Sequence, residues 1–416
     1  MMLYVTGIAM TRRSSGSVIT WPMVVQFYLG QYVAGGIYFG ITWNHWLSLY
    51  LPALGSVAFG FGAMIASASR LRLKTTTAIK EDVSGHIVWP SYAIATGLTG
   101  AFSVGAVALL LALRGTPLSG TVSKIDVAAG LGPLMRISTT GLPLTAVFLL
   151  LLKERLSRRW VNLVLVLFIL LASAQLTLLG YKGFVFDMVL LLILSMAYIQ
   201  RGKVSKKAVT ILVILAVVSA LGVLYLQPGP SHSSFGMAVK MLVKRFSIDA
   251  ALGLDYLIYS YPPSYRYGGE TLVWDFTSAI SEITQGTVFS NDQVVFTRLL
   301  HNQFFNSTSR YALTIGLVGD MYANFGIVGV VVGMFLFGIV MNAIHSCIQT
   351  QHSEALFWPL PLWTAFTLAQ ASSTGSVMWA VVSRLFSFAL VYVPFLVTYV
   401  FLSLPLQQRK LTESIV

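Results

Sequence analysis

The chain has 416 residues, of which 56% are hydrophobic and 10% charged, with a mean hydropathy of +0.77. A soluble domain carries roughly 25% charged residues, so this composition excludes a soluble enzyme and makes lipid the solvent for much of the chain. One cysteine, Cys347, excludes a disulfide framework or cysteine-ligated metal centre within the chain, and the net charge of +13 falls in short clusters between apolar stretches, as topology signals rather than a nucleic-acid footprint.

At the amino end, residues 3–10 are too short for the core of a cleaved signal peptide, and Arg12 and Arg13 follow them instead of preceding them. A helix rises about 1.5 Å per residue and must cross roughly 30 Å of hydrocarbon, so a span needs about 20 apolar residues. That ruler predicts an all-α polytopic membrane protein with about ten spans, within a range of nine to twelve, at residues 19–42, 46–66, 91–113, 131–152, 160–180, 184–199, 208–226, 320–344, 355–368 and 378–402. The chain divides into amino-terminal spans (1–226), one large loop (227–312) and carboxy-terminal spans (313–416).

Of the 27 Lys and Arg residues, 16 fall on one side of this layout. Basic loops are retained in the cytoplasm, so both termini are expected there, with the large loop on the outer side of a bacterial inner membrane. No internal repeat, Gly-rich phosphate loop or HExxH occurs, and the six histidines have no ligand-like spacing. Nucleotide chemistry, a metal and a cofactor are therefore not expected.

In the loop, Phe235, Ala238, Leu242 and Phe246 share one helical face opposite Lys240 and Lys244, which reads as an amphipathic helix on the membrane surface. Arg245 lies at the edge of that face, where its stem can meet lipid and its guanidinium can meet headgroup phosphates; an ordinary solvated basic face is the plainer reading. Beyond it, Tyr256, Tyr259, Tyr261, Tyr265, Tyr267 and Trp274 suit either the membrane interface or the flat faces of sugars. Asp249, Asp255, Glu270, Asp275, Glu282 and Asp292 are interleaved with these rings, and spacing selects none of them.

Ionisable groups within spans are few: Arg136, Asp187, Asp320 and Arg384, with Lys182 at a helix mouth. Such groups are costly in hydrocarbon and usually face a cavity or a partner. All five fall in the outer halves of their helices, which implies a water-accessible cavity open to the exterior. Three cations against two carboxylates suit an anion such as a diphosphate; a structural pairing of Asp187 with Lys182 or Arg384 is the alternative.

Three stretches resemble the Wzy-type O-antigen and capsule polymerases, which join oligosaccharide repeat units in bacterial envelopes. The first is the basic turn 179–183, Leu-Gly-Tyr-Lys-Gly, before a long apolar run. The second is the large loop opening with Lys244-Arg245. The third runs from Ser309-Arg310-Tyr311 through Gly319-Asp320-Met321-Tyr322-Ala323-Asn324-Phe325-Gly326 to Gly329, similar to the family's G-E/D-x-Y-x-N-F-G-x-x-G entry to the span after the loop. The Pro-x that often precedes this motif is replaced by Ala312-Leu313-Thr314, and the first turn carries Lys where Arg is commoner.

The resemblance implies a glycosyltransferase of GT-C-like membrane architecture that moves a growing chain between undecaprenyl-diphosphate-linked oligosaccharides. Membrane lipids and a chain-length regulator protein are its implied partners, with no nucleic acid. Asp320 and Asp275 are the candidate acid/base groups, and Arg245 and Arg310 the candidate cations for the departing diphosphate. Arg384, Lys182, Arg136, Lys244, Tyr322 and Asn324 are the expected substrate-binding residues. Two other activities are the alternatives: an O-antigen ligase, which shares the fold plan and lipid donor and for which His232 and His301 are available, and, from a different class, a lipid-linked glycan transporter or flippase without bond chemistry, against which the outward bias of the charges argues.

Overall fold

A computed structural model describes residues 1–69, 87–119, 127, 130–156, 158–180, 182–202, 204–226, 235–261, 266–285, 295–306, 312–350 and 356–415. Arg310 lies outside the described residues, as do Tyr181, His232, Tyr265, Asp292 and the whole of the basic 70–80 segment; the side chain of Lys182 is also not described.

Regular structure among the described residues is helical throughout: α1 (Met2–Ser15), α2 (Trp21–Trp43), α3 (Leu47–Ala68), α4 (Trp89–Arg114), α5 (Gly132–Leu156), α6 (Arg159–Leu178), α7 (Lys182–Ile199), α8 (Lys206–Leu226), α9 (Phe235–Tyr259), α10 (Glu270–Thr284), α11 (Phe296–Phe305), α12 (Gly316–Thr350), α13 (Pro359–Thr374) and α14 (Val377–Ile415). Lipid offers no hydrogen bonds to a backbone, so long apolar runs satisfy their own peptide groups as helices. Proline near the first turn starts α2, α4 and α13, where its missing N–H costs nothing. Left-handed Gly16 and Asn44 end α1 and α2.

Seven helices, α3, α4, α5, α6, α8, α12 and α14, are long and apolar enough to cross a membrane, and the chain is a multi-pass membrane protein. The other three expected spans are also helices: α2 with 23 residues, α7 with 18 and α13 with 16. At 1.5 Å per residue, α13 covers about 24 Å, less than the hydrocarbon thickness. Burial ranks the spans. In α5, 78% of the apolar window is enclosed by protein, against 28% in α6 and α8, so α5 is a central helix and the other two present Leu163, Leu167, Ile211 and Val218 outward. Helix α1, outside the ten expected spans, packs beside α3 and α2. Gln26 of α2 donates to Thr11 of α1 (2.8 Å) and accepts from Ser56 of α3 (2.6 Å).

The tightest contact joins α3 to α12. Side chains at Gly62 or Gly338 would collide with backbone of the facing helix, at Phe335 and Phe59 respectively, so the two backbones touch as small-residue interfaces in membranes allow. Helix α12 is two arms. At Gly326 (φ 67°, ψ −154°) the chain reverses, and Gly329 and Gly333 of the second arm lie against Phe325 and Met321 of the first. Only the second arm, 327–350, runs the length of α3.

The large loop holds α9, α10 and α11. The second half of α9 crosses α2, where Gly35 admits Ala251 and the Ser247 carbonyl, and Phe246 meets Phe186 of α7. Its first half exposes Phe235, Val239 and Val243, while Ala238, expected on the same outward stripe, is buried.

The glycine contact is testable. Gly338→Leu or Gly62→Leu is expected to abolish folded protein in detergent, measured by fluorescence-detected size exclusion, whereas Gly105→Ala, at a position with open space around it, should leave the peak unchanged.

Candidate functional site

The break between α13 and α14 sets the site. Gly375 and Ser376 both have positive φ (80° and 49°), which turns the chain sharply inside the protein and leaves the first N–H groups of α14 without helical partners. Asp320, on the first arm of α12, supplies one: its Oδ2 accepts the Val377 N–H at 3.0 Å. A carboxylate at a helix amino end is favoured by the dipole as well. Asp275 of α10 does the same for α11, accepting the Phe296 N–H at 3.2 Å. Thr297 and Ser376 are joined at 2.9 Å between hydroxyls, so the two helix starts are tied together.

Asp320 and Asp275 are both fully buried, and each keeps one oxygen, Oδ1 and Oδ2 respectively, without a hydrogen-bond partner. Burial, and next the nearby charge of Asp320, push the Asp275 carboxyl well above the usual carboxylate range. The charged form of Asp275 is thereby disfavoured.

The polymerase-like motif acts as one joint around this pair. Asn324 Oδ1 accepts the Gly269 N–H at 3.0 Å, while its Nδ2 donates to Thr271 Oγ1 at 2.6 Å and to the Asp320 carbonyl at 2.8 Å. Tyr267 and Gly268 donate their backbone N–H groups to the carbonyls of Ala323 and Asn324. Tyr322 is buried beneath the guanidinium of Arg266, 4.5 Å from the ring centre. Gly326 permits the reversal and leaves room for Arg266, whose Nε lies 3.4 Å from where a Cβ would stand.

A second ionic group lies deeper along α10 and α14. Arg298 and Glu282 pair at 2.8 Å, both buried, and Glu282 also accepts the Trp379 indole N–H at 3.0 Å. Arg136 of α5 is 7% exposed and donates to the Ser383 carbonyl at 3.2 Å and to Ser387 at 3.3 Å, with Nη2 unpartnered. On another face of α14, Arg384 lies 3.8 Å from Asp187 of α7, which also accepts from Gln370 of α13; Gln370 bonds Tyr28 at 2.9 Å.

The structure thus brings Asp275, Asp320, Tyr322 and Asn324 together. It places Arg136 and the Arg384–Asp187 pair on separate faces of α14. The cavity expected from the five intramembrane charges is not their common setting: among the described residues these side chains are held by protein partners, and Asp187 with Arg384 forms the structural pairing that the sequence left as the alternative. Lys244 and Arg245 are exposed on α9, Lys244 lying 3.8 Å from Asp249. Sequence reasoning passed over Arg266, Arg298, Trp379 and Gln370; a glutamine inside the apolar run of α13 is the one signal that could have marked its position in advance. Among the described residues no three His, Cys, Asp or Glu side chains gather as a metal site.

A family model described as "Putative O-antigen polymerase" matches residues 32–360. The chain belongs to the O-antigen polymerase family. The matched stretch runs from the middle of α2 to the start of α13, so it includes the motif, Asp275 and the whole loop, and stops short of Gln370 and Arg384. No curated protein and no solved structure matches the chain significantly.

Two outcomes test this joint. Asn324→Ala strands several buried partners and is expected to cost about 1–3 kcal/mol, read as a lower thermal midpoint of the purified protein. Because the folded state raises the proton affinity of Asp275, that part of the stability is complete below the ordinary carboxylate range and is lost as pH rises. Wild type should therefore lose more thermal stability than Asp275→Asn between about pH 5 and about pH 9.

Proposed function

We propose that this chain joins undecaprenyl-diphosphate-linked oligosaccharide units into a surface polysaccharide such as O-antigen, on the outer face of the bacterial inner membrane. The observation that carries the reading is the family match over residues 32–360. The buried joint at Gly319–Gly326, which fastens the loop to the bundle, supports it.

In this reading an acceptor hydroxyl oxygen attacks the anomeric carbon of the donor sugar. The bond from that carbon to the diphosphate oxygen breaks, the electron pair leaves with the lipid diphosphate, and a base takes the hydroxyl proton. No nucleotide or metal enters. Arg245 and Arg310 on the loop stabilise the departing diphosphate, a task for preorganised cations, with Lys244 beside them. Asp320 and Asp275 are wholly enclosed in this conformation and hold helix starts; their part is to position the loop against α14. Both termini face the cytoplasm, and a chain-length regulator protein docks from outside.

Arg245→Ala and Arg310→Ala should each abolish long polymer while the protein stays in the membrane, read as glycan ladders on gels. Ladders of wild-type length from both would refute the assignment. A deletion strain that carries single repeat units on its lipid A core marks a polymerase; unattached polymer would mark a ligase instead.

A further inference from the structure

The turn between α2 and α3 carries a polar group that no part of the motif explains. His45 sits there, directly after left-handed Asn44, whose side chain accepts the Trp46 indole N–H at 2.9 Å and fixes the turn. Across from it, α9 presents Asp255, buried to 4% exposure. His45 Nδ1 lies 3.0 Å from Asp255 Oδ2, and the Ser48 hydroxyl donates to Asp255 Oδ1. The imidazole stacks on Tyr259, with centroids 3.8 Å apart and planes within 11°, and the Tyr259 hydroxyl is itself held by the Leu47 N–H at 2.9 Å.

Three features separate this group from a satisfied structural histidine. A carboxylate only accepts, so the proton of a neutral His45 belongs on Nδ1, and Nε2 is left with its lone pair. The imidazole is 27% exposed, in contrast to the fully enclosed Asp275 and Asp320. Around it, Trp43, Trp46 and Tyr259 are 49%, 40% and 39% exposed; flat rings beside a polar atom suit the faces and hydroxyls of a sugar. Exposed Ile41 and Tyr50 flank the turn, and in the topology expected from the basic loops the turn faces the outer side.

We propose that His45, oriented by Asp255, is the base that takes the acceptor hydroxyl proton, with an acceptor sugar ring lying on the exposed rings of this turn. The assignment rests on the polymerase reading. His45 Nε2 accepts the proton as the acceptor oxygen bonds the anomeric carbon, and it later returns the proton to water. Asp255 is a positioning residue: through its hydrogen bond to His45 Nδ1 it fixes the tautomer and the ring plane, and it acts only through His45.

The test uses purified full-length protein in liposomes with single-unit lipid-linked oligosaccharide extracted from the native host deleted for this chain. Wild-type protein should form dimers and longer products; their absence would sink the polymerase reading itself. With wild type active, His45→Asn keeps a donor toward Asp255 and loses the outward nitrogen, so turnover should fall at least about 100-fold, at unchanged thermal midpoint. Imidazole added to His45→Ala should restore part of the rate, and Asp255→Asn should lower kcat with KM near wild type. Wild-type turnover in His45→Asn, or losses fully accounted for by unfolded protein in both His45 variants, would overturn the role of His45 and leave the family reading intact.

Discussion

Inside a bilayer every backbone break must be answered by the protein itself, and the Asp320 carboxylate answers the most consequential one. Between α13 and α14 the chain bends through two positive-φ residues, and the first N–H of α14 would stand bare in a low-dielectric interior, at a cost of several kcal/mol. Asp320 accepts it. From that one bond follow the placement of the first arm of α12, the reversal at Gly326 that the short arm requires, and the seat on which α10 and α11 rest.

The division of labour among buried charges follows from the same economy of partners. A charge in hydrocarbon needs either water or an opposite charge with hydrogen bonds. Arg298 has Glu282 and Arg384 has Asp187, whereas Arg136 relies on two serines and a carbonyl of α14. Each pairing crosses between helices, so these groups fix how α5, α7, α10 and α11 lie around α14 more than they open a shared chamber.

Most of the scaffold could be read from hydropathy. The apolar runs that become α3, α4, α5 and α6 begin and end within a few residues of their expected edges, because lipid leaves a long apolar segment one way to satisfy its peptides. The motif from Gly319 to Gly326 is legible in the sequence, and the structure sets its Asp320 and Asn324 beside Asp275, with Asp320 and Asp275 each accepting a helix-start N–H. The reversal at Gly326 was not legible: 316–350 is apolar enough to be one continuous helix, and only packing against Gly55 and Met321 shows two arms. The pairing of His45 with Asp255 joins positions 210 residues apart, a separation at which periodicity carries no information. Arg136 and Arg384 share outer-half depth in the sequence layout, but depth does not fix azimuth, and on α14 the two arginines meet different faces.

The fastening of 267–271 to the end of the first α12 arm has a further meaning. It uses the carbonyls of Ala323 and Asn324 and the amide of Asn324, groups supplied mainly by backbone on both sides. A rivet made of peptide groups does not depend on which side chains decorate the surface beyond it. Exposed side chains beside it, such as those of Val273 and Phe276, can therefore change without loosening this attachment, whereas Asp275, Glu282, Thr297 and Arg298 cannot, because their side chains tie α10 and α11 to each other and to α14.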